Sequence, residues 1–375
     1  MTIKIFHTAD LHLGMKFTRG YPPEVQESLI QARFETLQGM IESANQQGCD
    51  LFVIAGDLFD NRKVPKKDVL LGAETLKRFE GSCILILPGN HDYIQKGEDN
   101  LWTIFRGAMS ERILILENPT CYDLRAFDID MVVYASPCTA KHSKTNAIGW
   151  IREYPKDPNA KFHIGIAHGS LEGVSPDFDG DYYPMSNEEL RALKMDLWLM
   201  GHTHIRYPDK VKGDGDRILF PSTPEPDGFD CSHPGYAWII ELKDDKSISY
   251  QSVQTGEYQF ITMEKELLGE KDVNGLKLYF YTLNRERHLV KLKLKGRIPG
   301  GIYDERNTLL KEVNSCVLYL EPDLSELLQE ITQEDIDREF TEGSFPHRLL
   351  GTLAQEQKNP SSLQIAYGLI REVKS

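Results

Sequence analysis

Five short polar motifs, each at the end of a short apolar run, constrain this chain more than any bulk property does. Asp10-Leu11-His12 follows IKIFHTA (3–9), Gly56-Asp57 follows LFVIA (51–55), and Gly89-Asn90-His91-Asp92 follows CILIL (83–87). His168-Gly169 follows FHIGIA (162–167), and Gly201-His202-Thr203-His204 follows LWLM (197–200). These runs, together with MVVYA (131–135), are rich in β-branched and aromatic residues and bounded by Gly, Pro, Asn or Asp, which predicts buried strands. Between them, 24–47 and 66–80 carry helical spacing, as in Leu29, Phe34, Leu37, Ile41 and Ala44. Ser186-Asn187-Glu188-Glu189 opens a further helix over 187–194. Strands alternating with helices predict a layered α/β (α+β) fold with helices covering both faces of the sheets.

Beyond GHTH the pattern changes. RILFPST, YAWIIEL and SISYQSV, separated by Pro/Gly/Asp-rich turns within 217–255, predict antiparallel strands. A second unit is expected to begin near Glu257, giving domains 1–256 and 257–375, the second mixing strands and helices. There HLVKLKLKGR alternates Val290, Leu292 and Leu294 with Lys291, Lys293 and Lys295. Residues 321–342 carry nine acidic side chains and one basic, interleaved with leucine and isoleucine, which predicts an acidic amphipathic helix or helix pair.

No apolar run approaches the roughly 18–20 residues that a membrane-spanning helix needs, and the N-terminus runs straight into a polar motif rather than a cleavable leader. The six cysteines are scattered without a CxxC pair, as expected of reduced thiols in a cytoplasmic protein. No GxxxxGK[ST] loop is present, so any use of ATP would come from a partner.

The polar motifs carry the chemistry. Ligands in α/β sheets bind outside the carboxyl ends of strands, so five motifs in that position are expected to converge. Asp10 and His12, like His202 and His204, are two apart and in extended chain point to one side. Two aspartates, an asparagine and four or five histidines exceed the needs of one tetrahedral zinc and suit two five- or six-coordinate ions. Imidazole with carboxylate favours Mn, Fe, Zn or Ni over the all-oxygen preference of Ca or Mg. Two divalent ions against two carboxylates leave roughly +2, a site for an anion, and paired metals about 3.5–4 Å apart clamp a phosphoryl group.

DLHLG, GDLFD, GNHD, AHG and GHTH, in that order, resemble the calcineurin-like metallophosphoesterase superfamily, and within it the SbcD-type DNA exonucleases. The resemblance covers roughly 1–240 and, more loosely, the C-terminal unit. It implies a four-layer β-sandwich flanked by helices, with a smaller C-terminal α/β capping domain. It also implies two divalent ions, Mn2+ foremost, with Fe2+, Zn2+, Ni2+ or Mg2+ as alternatives. Asp10, His12, Asp57 and His204 would hold one ion; Asp57 would bridge to a second, held with Asn90, His168 and His202. His91 would then act on the leaving oxygen, with Asp92 or Asp60 fixing its tautomer. GDLFD departs from relatives that carry a histidine where Asp60 stands.

The resemblance further implies a Mn-dependent DNA exonuclease or endonuclease of repair or recombination, working with a long coiled-coil ATPase of the SbcC type and compatible with a homodimer. A phosphodiesterase or phosphatase for a small molecule is the alternative. The formal charge of −14 weighs against DNA, although local charge matters more than the total. Two basic features weigh for it. One is the loop after the Asp57 motif, with Arg62, Lys63, Lys66 and Lys67. The other is the window 285–297, with six basic residues against one acidic, where the HLVKLKLKGR strand puts Lys291, Lys293 and Lys295 on one face.

Overall fold

A computed structural model of the chain describes residues 2–18, 20–95, 101–355 and 360–374. The chain forms two compact units, Met1–Gln259 and Phe260–Ser375.

In the first unit the elements run β1 (Thr2–Thr8), α1 (Pro23–Gln46), β2 (Leu51–Ala55), α2 (Lys66–Leu76), β3 (Cys83–Leu87), α3 (Leu101–Ala108), β4 (Ile113–Ile115), β5 (Cys121–Asp123) and β6 (Met131–Ser136). They continue with β7 (Phe162–His168), α4 (Asn187–Ala192), β8 (Leu197–Gly201), β9 (Lys212–Asp214), β10 (Ile218–Leu219), β11 (Tyr236–Lys243) and β12 (Ile248–Gln254). Seven strands form one sheet in the order β4-β3-β2-β1-β11-β12-β9, and five form the other in the order β10-β8-β7-β6-β5. β1 to β4 are parallel, as are β6, β7, β8 and β10.

Alternation along each strand divides the apolar residues among three layers, which is why these runs read as wholly apolar. Phe52 and Ile54 of β2 pack with Leu37, Met40 and Ile41 of α1 and Val69 and Ala73 of α2. Leu51 and Val53 face the other sheet, against Val133, Ile164 and Leu199. The outer face of that second sheet, with Tyr134, Trp198 and Met200, is covered by Ile148, Ile151 and Leu190 of α4. The result is the helix–sheet–sheet–helix arrangement expected. The Ser186 cap of α4 is a full capping box with Glu189.

Three local expectations give way. α2 ends at Leu76 rather than near residue 80. RILF does not join the antiparallel strands: β10 runs parallel to β8 in the smaller sheet, whereas β11 and β12 are antiparallel. The third lies in the second unit.

The second unit contains β13 (Gln259–Leu267), α5 (Glu270–Phe280), β14 (His288–Pro299), α6 (Gly300–Asp304), α7 (Arg306–Asn314), β15 (Tyr319–Glu330), α8 (Gln333–Glu339), α9 (Phe345–Gln355) and α10 (Pro360–Lys374). β14 lies between β13 and β15. Its buried face, Val290, Leu292 and Leu294, packs with Leu276 and Phe280 of α5 and with Leu309 and Val313 of α7. The first part of the acidic stretch expected to be helical, 321–330, instead belongs to β15, which runs parallel to β14; Gln333–Glu339 is helix, as expected. Pairing with a parallel partner overrides a local pattern that reads equally well as helix.

Candidate metal centre

The five motifs lie at the carboxyl ends of β1, β2, β3, β7 and β8, and the loops there approach within limits that only glycine permits. A Cβ on Gly89 would stand 2.2 Å from the Asp57 carboxylate, and one on Gly201 would stand 2.0 Å from the Ala55 carbonyl oxygen. Asp10, His12, Asp57 and His202 themselves adopt left-handed backbone, at φ 57, 49, 51 and 93°. Each such residue costs on the order of 1–3 kcal/mol and persists only where its surroundings over-determine it. Hydrogen bonds supply that constraint: Asp10 N–H to Gly56 O, His12 N–H to Asp57 O and Leu13 N–H to Leu58 O, at 2.9–3.0 Å.

The seven expected ligands meet. His12 Nε2 lies 3.3 Å from His204 Nε2 and 3.9 Å from Asp57 Oδ2, and His204 Nε2 lies 3.9 Å from Asp10 Oδ1. On the other side His168 Nε2 lies 3.2 Å from Asp57 Oδ2 and 3.0 Å from Asn90 Oδ1, which is 3.2 Å from His202 Nδ1. Asp57 belongs to both groups. Asp10, His12, Asp57, Asn90 and His168 are buried.

The chemistry of this donor set fits cations. His168 donates its Nδ1 hydrogen to the Ala55 carbonyl at 2.9 Å, which leaves a lone pair on Nε2 facing the oxygens of Asn90 and Asp57. Asn90 donates its amide to the Lys141 carbonyl, turning its oxygen inward. Acceptors aimed at acceptors in a buried site require a positive charge between them. A proton answers part of the demand. Burial disfavours the His168 imidazolium, but the Asp57 and Asp10 carboxylates and the Ala55 carbonyl together push the imidazole up to about 9. Burial likewise opposes the His204 charge, and Asp227 and Asp10 push it up to about 9. Burial would raise Asp57; His168 beside it holds the carboxyl well below the usual range instead.

His91 stands at the edge of the cluster. Its backbone N–H donates to Asp57 Oδ1 at 2.8 Å, and its ring centroid is 4.7 Å from that of His12. Neither carboxylate proposed to orient it does so. Asp92 is fully buried and accepts the N–H groups of Gly89 and Phe59 at 2.7 and 3.0 Å, bracing the GNHD turn. Asp60 contributes its carbonyl rather than its carboxylate, 2.8 Å from His91 Nδ1. That carboxylate lies 3.9 Å from His12 Nδ1, so His12, Asp60 and His91 form a further group with metal-binding spacing. A cavity of about 710 Å³ opens over the cluster, lined by Asn90, His91, Tyr182, His202, His204 and Asp227 among others.

A model of the calcineurin-like phosphoesterase family matches residues 3–206. The chain belongs to the calcineurin-like phosphoesterase family. It is therefore a hydrolase acting on phosphoester bonds, with a candidate dinuclear metal site built on Asp10, His12, Asp57 and His168. Among similar proteins, the uncharacterized metallophosphoesterase YhaO of Bacillus subtilis is 24% identical over 299 residues, covering 78% of this chain and 69% of that one. The DNA double-strand break repair protein Mre11 of Methanopyrus kandleri is 24% identical over 351 residues, covering 85% and 70%. Mre11 of Sulfurisphaera tokodaii is 24% identical over 334 residues, covering 84% and 79%. Among the described residues no helix is long and apolar enough to cross a membrane.

The fold also brings to this family site residues with no motif of their own. Asp227 Oδ2 lies 3.2 Å from His204 Nδ1. Arg33, buried in α1, donates to the Leu11 carbonyl at 2.7 Å and so props the DLHLG loop. Tyr182 packs against the His202 ring at 4.9 Å. An aspartate, an arginine and a tyrosine in ordinary surroundings give no sequence signal; only the lone charge of Arg33 on an apolar helix face is a hint.

The two basic features fare differently. Lys291, Lys293 and Lys295 do share the outer face of β14, but each is paired with a glutamate, respectively Glu321 (3.0 Å), Glu326 and Glu264. The expected basic face is charge-balanced, because strand pairing sets the acidic stretch on one side of it and Glu264 of β13 on the other. In the first unit, Arg62 stacks on Tyr93 at 4.8 Å. Lys63, Lys66 and Lys67 are exposed, and among the described residues no carboxylate forms an ion pair with them.

Proposed function

We propose that the protein is a metal-dependent DNA nuclease, hydrolysing phosphodiester bonds at two divalent ions for which Mn2+ is well suited. The observation carrying this reading is the convergence of seven lone-pair donors, sharing Asp57, under an open cavity with a histidine at its edge. Asp10, His12, Asp57 and His204 would hold one ion, and Asp57, Asn90, His168 and His202 the other. Bound there, the ions would polarise the phosphoryl group and generate a nucleophile at neutral pH.

The chain's own residues supply the rest. His91 Nδ1 is committed to the Asp60 carbonyl, so Nε2 is the atom that exchanges a proton with the leaving oxygen. The His91 N–H on Asp57 Oδ1 ties that ring to the shared carboxylate. Lys63, on the loop leading away from Asp60, and Lys66 and Lys67, at the start of α2, hold duplex phosphates. The similarity to Mre11 proteins supports DNA as the substrate, and the SbcC-type ATPase partner and a role in repair belong to the same reading.

One observation favours a second reading, a phosphodiesterase for a small molecule. Asp177, Asp179, Asp181 and Asp230 line the same cavity and would repel a polyanion. The test is incubation with Mn2+ and end-labelled single- and double-stranded DNA beside bis-(p-nitrophenyl) phosphate. Cleavage of both substrates is expected; turnover of the small ester with none of DNA would sink the nuclease reading.

A further inference from the structure

The segment 221–235, between β10 and β11, carries none of the five motifs, yet it holds one half of the site from several points. Asp227 Oδ2 lies 3.2 Å from His204 Nδ1. His233 accepts the Gly235 N–H on Nδ1 at 3.1 Å, which makes Nε2 the donor, and Nε2 lies 2.6 Å from the His204 carbonyl oxygen. Thr223 donates its hydroxyl to the Asp10 carbonyl at 3.0 Å. Glu225, 2% exposed, anchors the segment by accepting from Thr36 of α1 at 2.6 Å and from the N–H groups of Glu257 and Tyr258 at 2.9 and 3.0 Å. These contacts to ligands go to Asp10 and His204. On the opposite side His168 is held by the Ala55 carbonyl and Asn90 by the Lys141 carbonyl, neither from this segment.

We infer that Asp227 and His233 are positioning residues for His204 and that they govern one metal position selectively. By accepting the Nδ1 hydrogen, Asp227 places the His204 lone pair on Nε2, the atom 3.3 Å from His12 Nε2 and 3.9 Å from Asp10. It also increases the basicity of that lone pair. His233 fixes the backbone that carries the ring. The inference rests on reading Asp10, His12, Asp57 and His204 as one ion's ligands.

The test is Mn2+ titration of the full chain by calorimetry, with electron paramagnetic resonance reporting spin coupling between paired ions. The wild type is expected to bind two ions and show the coupled signal. Asp227→Ala should weaken one of the two by about 10–100-fold, leave the other unchanged, and replace the coupled signal with that of an isolated ion. Asp227→Glu should restore part of the lost affinity, and His233→Ala should weaken the same ion by less. Equal weakening of both positions would mean general loosening, and no weakening would mean that His204 is oriented without help; either overturns the inference. A wild type that binds no pair of ions refutes the metal reading itself, an outcome distinct from both.

Discussion

The cluster at the ends of β1, β2, β3, β7 and β8 and the lysine face of β14 begin as similar evidence: conspicuous charge patterns at regular spacing. Folding treats them oppositely. At the cluster, lone-pair donors are brought within 3–4 Å of one another, and protons on His168 and His204 answer only part of the demand, so the need for cations survives and is concentrated. On β14 each lysine finds a glutamate, and the need for an anion is met internally. A charge pattern points to a ligand only if tertiary structure leaves it unanswered. By that criterion Lys63 and, at the start of α2, Lys66 and Lys67 are the better candidates for the proposed phosphate contact.

The contrast can be broken or sharpened by experiment. The largest effect belongs to Asp57→Asn, which removes the carboxylate common to both groups. It should abolish turnover of bis-(p-nitrophenyl) phosphate and lower bound metal by elemental analysis; two ions retained at full affinity would remove Asp57 from its central place. His91→Ala should keep both ions while losing about 10²–10⁴-fold in turnover, the usual range for a proton-transferring group.

Proton and metal compete at the cluster, so pH provides a third test. His168 and His204 have folded pKa values raised to about 9 from 6.5. Their contribution to the stability of the metal-free protein is therefore complete below about pH 6.5 and lost as pH rises through about 9. The melting temperature of the metal-free protein should fall over that window, and the gain on adding Mn2+ should grow. A gain independent of pH would show that the ions do not displace these protons.

Smaller effects separate the two basic regions. Lys63→Ala, Lys66→Ala and Lys67→Ala combined should flatten the salt dependence of duplex binding by about 0.9 in log–log slope for each lysine on a phosphate. The triple change at Lys291, Lys293 and Lys295 should leave that slope alone and alter the melting temperature little, since exposed ion pairs contribute weakly. The reverse result would restore β14 as the DNA-binding face.

The sequence by itself determined the layered fold, the strands that end in motifs, and the donor types gathered there. Short, wholly apolar runs and a helix such as Pro23–Gln46 are local patterns, and the rule that sites form at strand ends turns their order into convergence. Only the tertiary structure decided what depends on partners distant in the chain. Residues 319–330 are a strand because β14 lies alongside; that pairing sets Glu321 and Glu326 beside Lys291 and Lys293, while Glu264 of β13 on the other side meets Lys295. His91 is oriented by a backbone carbonyl, which has no letter in the sequence. Asp227, 23 residues beyond His204, reaches it only because β10 and β11 lie in different sheets and the chain between them passes over the site. Local patterning is written in neighbours, whereas satisfaction of charge and hydrogen bonding is settled by whatever the fold brings into reach.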